Sequence, residues 1–153
     1  MSQKRKLQVE AISDGTVIDH IPAGQGLKVL HQLPVLDRGC RITVGFNLPS
    51  QELGLKDLIK VENHIISDQE AGRLCLLAPM ATVNIIENYV VRQKCSIHLP
   101  EKLENLFRCP NSNCITHNEP VNTVFTCTER GDEIHITCKY CEKVFSKDIM
   151  TEL

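Results

Sequence analysis

Apolar and polar positions change their period several times along the chain, and each change marks an element. Residues 16–21 are a short β-branched run that predicts a strand. Gly24-Gln25-Gly26 then leads into helical spacing, with Leu27, Leu30, His31 and Leu33 or Pro34 on or near one side. Residues 41–48 alternate, placing Ile42, Val44, Phe46 and Leu48 on one face and Thr43, Gly45 and Asn47 on the other. A turn or loop is expected around Pro49-Ser50 and Leu53-Gly54, followed by a second strand over 55–62. Ser67-Asp68-Gln69-Glu70 matches a capping box, with Ser at the cap and Glu three residues on. The helix that it opens is expected to reach Leu77, with Pro79 just past its end. Residues 81–86 and 89–94 are expected as strands about a tight Glu87-Asn88 turn.

This order is β-α-β-β-α-β plus one extra strand. It predicts an α+β fold whose first domain, residues 1–100, follows the ferredoxin-like βαββαβ plan, an antiparallel sheet with both helices on one face. Residues 94–100 end the periodic region in a proline and mark the boundary. The second domain, residues 101–153, is strand-rich, with candidates at 121–128 and 133–138 joined by a turn at Arg130-Gly131-Asp132. A domain of about fifty residues buries too little surface to be comfortable alone, so this small all-β half needs a staple.

Composition narrows the chemistry. The 153 residues are 42% hydrophobic and 24% charged, which excludes wholesale disorder. Trp is absent and aromatics are only 4%, so aliphatic side chains must fill the core. A formal charge of -2 gives no general attraction to nucleic acid or acidic membranes. No long apolar run predicts a transmembrane helix, and no signal-peptide core follows the basic Met1-Ser2-Gln3-Lys4-Arg5-Lys6. The chain is expected to be cytoplasmic, where structural disulfides are not. Its eight cysteines need another account. Cys40, Cys75 and Cys95 are scattered, whereas Cys109, Cys114, Cys127, Cys138 and Cys141 crowd into the final stretch.

The staple is expected to be a metal. Cys109-Pro-Asn-Ser-Asn-Cys114 is C-x4-C, and Cys138-Lys-Tyr-Cys141 is C-x2-C. Each short spacing lets two thiolates from one turn reach the same ion, and two turns complete a tetrahedron of the zinc-ribbon kind. Four thiolates suit Zn²⁺, one per chain, and leave no open position for water, so the role is structural. A redox dithiol at Cys138 and Cys141 explains only one pair, and disulfides suit the wrong compartment. Cys127, His117 and His135 compete as ligands, but none has a second ligand at turn spacing. Cys127 lies within a β pattern, where a small buried thiol is ordinary.

Residues 101–153 hold six Lys/Arg against nine Asp/Glu, and a zinc-tetrathiolate adds further negative charge. Phosphate binding requires the opposite field, so a protein partner is preferred to nucleic acid. Asn111, Asn113, Lys139, Glu142 and Lys143 are the polar groups that two knuckles would present, either to that partner or merely to solvent. Enzyme motifs fail in the first domain. Val29 stands where a dinucleotide turn after Gly24-x-Gly26 needs its third glycine, and no P-loop Lys-Ser/Thr follows.

One family combines these features. The opening Lys6-Leu-Gln-Val-Glu-Ala-Ile12 is followed by Gly15-Thr-Val-Ile-Asp-His-Ile-Pro22, Asn47-Leu-Pro-Ser50, Lys56-Asp-Leu-Ile-Lys60, Ala78-Pro79 and Ala81-Thr-Val-Asn84. The two cysteine motifs, extended to Glu142, complete the series. In this order, over nearly the whole chain, they resemble the regulatory chains of bacterial aspartate carbamoyltransferase. The resemblance implies a non-catalytic chain of pyrimidine biosynthesis that binds CTP as inhibitor and ATP as activator, with UTP as a further effector. It also implies zinc-domain docking on the catalytic chain, a regulatory-chain homodimer, and a dodecamer of six catalytic and six regulatory chains. No nucleic acid or membrane partner is implied.

Carried onto this sequence, main-chain groups around Ala11, Ile12, Ile86, Tyr89 and Val91 would flank the base. Paired carbonyls there can accept from the exocyclic amino group common to cytosine and adenine. Asp19 and Lys60 would meet the ribose, Lys94 and His20 the triphosphate, and Val17 and Asn84 would complete the rim. Ile12, Ile86 and Val91 would equally serve as apolar strand residues in any such sheet. Cys40, Cys75 and Cys95 depart from the family pattern, and residues 92–96 match it only at Lys94.

Overall fold

The structure, a computed structural model, describes residues 11–153; the basic start and the opening motif up to Glu10 lie outside the described residues. The chain divides into two compact units between His98 and Leu99.

The first unit runs β1 (Gly15–Pro22), α1 (Gly26–Gln32), β2 (Ile42–Ser50), β3 (Gly54–Glu62), α2 (Asp68–Leu74), β4 (Thr82–Glu87) and β5 (Val90–Ser96). Its antiparallel sheet has the order β2-β3-β1-β4-β5, the ferredoxin-like plan with β5 added outside β4. The two helices pack against each other. Strand alternation gives the sheet two unlike faces. Ile18, Ile59, Val61 and Val83 are buried from the sheet, and Val29, Leu33 and Leu74 from the helical segments. Each such aliphatic side chain contributes about 2 kcal/mol of transfer free energy.

Several elements differ from expectation, each for a local reason. In α1 the buried residues are Gly26 and Val29, three apart, while Leu27 is left 53% exposed and Leu33 is buried just past the helix end in extended conformation. The alternation in β2 breaks between Gly45 and Leu48, where the register slips and Asn47 takes a left-handed φ of 54°. The slip places Leu48 opposite Lys56, off the face that Ile42 and Val44 share with Val61 and Ile59, and Phe46 is half exposed. Pro49 and Ser50 belong to the strand, paired with Leu55 and Gly54, so the turn is confined to residues 51–53. A proline is tolerated there because β2 is an edge strand.

The Ser67 hydroxyl does cap α2, accepting from Glu70 N–H at 3.2 Å. The helix ends at Leu74, three residues early, in tighter turns where Leu77 and Ala78 both donate to the Leu74 carbonyl. The Glu70 carboxylate is engaged by His64, with Oε2 2.9 Å from His64 Nε2. Between β4 and β5, Asn88 and Tyr89 both have positive φ (49° and 64°), as a two-residue hairpin turn requires.

In the second unit, β6 (Lys102–Glu104), β8 (Val124–Arg130), β9 (Glu133–Cys138) and β10 (Val144–Ser146) form one sheet in the order β10-β9-β8-β6. A two-stranded ribbon pairs β7 (Phe107–Arg108) with β11 (Thr151–Glu152). Residues 121–123 precede β8, and Arg130 is its last residue, so the β8–β9 turn is Gly131-Asp132. Leu103, Phe107, Phe125 and Ile136 make a small apolar core. Buried Thr123 donates to the Phe107 carbonyl at 2.6 Å.

Candidate functional site: a four-thiol cluster and the polar face of a sheet

The two cysteine turns meet. Cys109 and Cys114 follow β7, Cys138 ends β9, and Cys141 lies in the turn before β10. All four sulfurs lie within 4.8 Å of one another, with Cys109–Cys141 and Cys114–Cys138 each at 3.8 Å. A tetrahedron with metal–sulfur bonds of about 2.3 Å has edges of about 3.8 Å, so the spacing fits a four-thiolate ion. Among the described residues this is the sole such group of three or more ligand side chains.

Hydrogen bonds shape each turn. Asn111 Oδ1 accepts from Asn113 N–H at 3.1 Å, and its carbonyl accepts from Cys114 N–H at 3.0 Å. His117 Nε2 lies 3.0 Å from the carbonyls of both Cys109 and Asn111, and Thr116 Oγ1 donates to Cys114 Sγ at 3.2 Å. In the other turn, Glu142 N–H donates to the Cys138 carbonyl, and Glu142 itself is left-handed (φ 60°).

The electrostatics ask for a cation. Burial pushes the Cys109 and Cys138 thiols up, and neighbouring sulfurs add to the rise. At Cys141 burial also pushes upward, but the Lys143 backbone N–H, the Asn111 side chain and the neighbouring sulfurs outweigh it, bringing that thiol down to about 7. Four sulfurs this close share protons unless a divalent ion neutralises them.

His117 serves the turn rather than the cluster. His135 Nε2 lies 3.3 Å from Glu133 Oε2, and Cys127 stands outside the sulfur group with its pKa raised to about 11 by burial. Asn113, Lys139, Glu142 and Lys143 are exposed around the turns, while Asn111 is half-buried within its own.

The first unit gathers a second set. The register aligns Lys60, Val17, Asn84 and Lys94 in one row across β3, β1, β4 and β5. Strand spacing makes that row about 14 Å long. Their chain neighbours Ile18, Ile59 and Val83 point into the core, so this row occupies the opposite face. Lys60 is buried at 8% exposure and Lys94 is exposed.

At one end of that face, Ile86 lies opposite both Gly15 and Val91. Tyr89 N–H donates to the Ser13 carbonyl at 2.9 Å, bringing the hairpin turn beside the segment that carries Ala11 and Ile12. Towards the other end, Asp19 pairs with Lys56 Nζ at 2.9 Å, and His20 Nδ1 lies 3.1 Å from Thr82 Oγ1. Lys56 was not among the expected site residues. Its spacing of four from Lys60 in a strand puts both on one face, which period-two counting reveals.

Two family models match. Residues 7–98 match the aspartate carbamoyltransferase regulatory chain, allosteric domain, and 101–151 match the metal binding domain of the same chain. The chain is 56% identical over 153 residues to an aspartate carbamoyltransferase regulatory chain from Vibrio cholerae serotype O1 (strain M66-2), covering 100% of this chain and 99% of that one. It is 55% identical over 152 residues to the like-named protein of Photobacterium profundum, covering 99% of each. With that of Aliivibrio fischeri (strain MJ11) it shares 53% over 153 residues, covering 100% of this chain and 99% of the relative.

Proposed function

Because the chain belongs to the family of aspartate carbamoyltransferase regulatory chains, whose role is regulatory and not catalytic, we propose that its two units divide binding and docking. Residues 1–100 bind CTP and ATP at one site, with UTP as a further effector. Residues 101–153 hold one structural Zn²⁺ and dock on the catalytic chain. The observation that carries the nucleotide assignment is the row Lys60–Val17–Asn84–Lys94 on the sheet face opposite Ile18, Ile59 and Val83.

The chemistry follows from that placement. The main chain near Ala11, Ile12, Ile86, Tyr89 and Val91 offers carbonyls to the amino group shared by cytosine and adenine. Asp19 and Lys60 take the ribose. Lys94 and His20 face the triphosphate, with Lys56 beside them. The site makes no bond and breaks none. Its effect on the enzyme requires that CTP and ATP favour different states of the assembly.

Zinc supplies a cross-link between the two cysteine turns. Cys109, Cys114, Cys138 and Cys141 would hold it, and the fixed turns then present Asn111, Asn113, Lys139, Glu142 and Lys143 to the catalytic chain. The assembly is a regulatory-chain homodimer within a cytoplasmic dodecamer of six catalytic and six regulatory chains. No described helix is long and apolar enough to cross a membrane. Calorimetry on Lys60→Ala and Lys94→Ala tests the nucleotide site: each is expected to weaken CTP about tenfold or more. Wild-type affinity in both variants would move the site elsewhere.

A further inference from the structure

Asp57 is wholly buried and lies outside the residues assigned to nucleotide contact. Its Oδ2 accepts from the backbone N–H groups of Gly24 (3.0 Å) and Gly26 (2.9 Å), and its Oδ1 accepts from Asn47 N–H (2.9 Å). Three pieces of chain converge on one carboxylate: β3, the turn from β1 into α1, and the middle of β2. The fit is close. A Cβ on residue 26 would stand 2.8 Å from Asp57 Oδ2 and 3.0 Å from the Phe46 ring, so the glycine makes the approach possible.

Both strands flanking β3 are irregular at this level. The β1 register slips between Ile18 and Ile21, and the β2 register between Gly45 and Leu48. His20 and Asn47 lie within these slips in left-handed conformations, φ 59° and 54°. A slip re-aims side chains and frees backbone groups from the ladder. In β2 the freed N–H goes to Asp57. In β1 the slip carries Asp19 and His20, and Lys56 is the neighbour of Asp57 in β3 and holds Asp19 at 2.9 Å.

We propose that Asp57 is a positioning residue for the effector site: its three hydrogen bonds fix the β2 slip and the turn that follows the β1 slip, and so aim His20 and Lys56 at the phosphate end of a bound nucleotide. The proposal rests on the reading that the first unit binds nucleoside triphosphates. Asp57 acts from the core side of the sheet and touches no nucleotide atom. The base end is anchored separately, by Ser13 and Asp14 holding the Asn88-Tyr89 turn.

Charge and positioning predict opposite signs. Removing a carboxylate near lysines would, by charge alone, strengthen the binding of an anion. Asp57→Asn keeps the side-chain shape but sets an NH₂ group against one or two of the three N–H donors. On the full-length chain, CTP affinity is expected to fall about tenfold while cytidine affinity stays within about twofold. Equal weakening of both ligands, as a general loss of structure would give, overturns the proposal, and so does tighter CTP binding. Should Asp57→Asn not fold, amide exchange in the wild-type chain decides the matter. CTP, but not cytidine, is expected to slow exchange at Gly24, Gly26 and Asn47; unchanged rates at all three overturn it. A wild-type chain that binds neither CTP nor ATP overturns the nucleotide site itself, a result distinct from either of these.

Discussion

Cys114 holds one corner of the thiol cluster, is buried, and receives the Thr116 hydroxyl. Its replacement by alanine leaves three sulfurs, and metal binding supplies about 10 kcal/mol or more of folding free energy in small structural sites. Cys114→Ala is therefore expected to lose zinc, by elemental analysis, and the cooperative unfolding of the second unit. Cys127 allows a prediction in pH. Burial raises its folded pKa to about 11 from an ordinary 9.0. The folded thiol thus keeps its proton where the unfolded one has lost it. Stability from this group is complete below pH 9 and is lost as pH rises through about 11. The drop is of the order of 2 kcal/mol and is expected to disappear in Cys127→Ala, as urea titrations at pH 8 and pH 11 would show. Cysteine pairs are legible in a sequence because their partners are near neighbours at turn spacing. His117 is not, because its partners are two backbone carbonyls placed by the turn itself.

At the scale of elements, the helix signals carried local information that the structure keeps in part. Ser67 caps α2 as its sequence implies, and Ser67→Ala is expected to destabilise the first unit by about 1 kcal/mol with zinc content unchanged. Thermal unfolding with metal analysis on one sample checks both. Glu70 turns towards His64, six residues back in the preceding loop, and the capping-box motif does not encode that partner. The alternation of β2 fails for a similar reason. Its slip is held by Asp57, ten residues away in another strand, so period-two counting continues straight through a break that it cannot see. Strand order was more accessible, since short turns and two helices leave few ways to close such a sheet.

The whole molecule is two contiguous units with separate means of stability. The first buries aliphatic strands beneath two helices, whereas the second gathers a small core about a thiol cluster. The uneven spread of cysteines already marked that difference in the sequence. Chelation is expected to unfold the second unit and to abolish co-migration with the catalytic chain, while CTP affinity changes by less than about twofold. Both are measured on one metal-free sample. A chain that loses CTP yet stays attached would reverse the assignment of tasks.

The Asn88-Tyr89 turn has a consequence for how such a chain can drift. Left-handed backbone suits Asn, but a tyrosine there is held against its own preference, at a cost of about 1 kcal/mol relative to glycine. Its ring is 71% exposed, so burial does not compensate. Tyr89→Gly is expected to raise the melting temperature of the first unit and to leave CTP affinity within about twofold, since it keeps the main chain of the turn. A lineage would then have an easy step open to it, towards a sturdier hairpin whose main chain is unchanged.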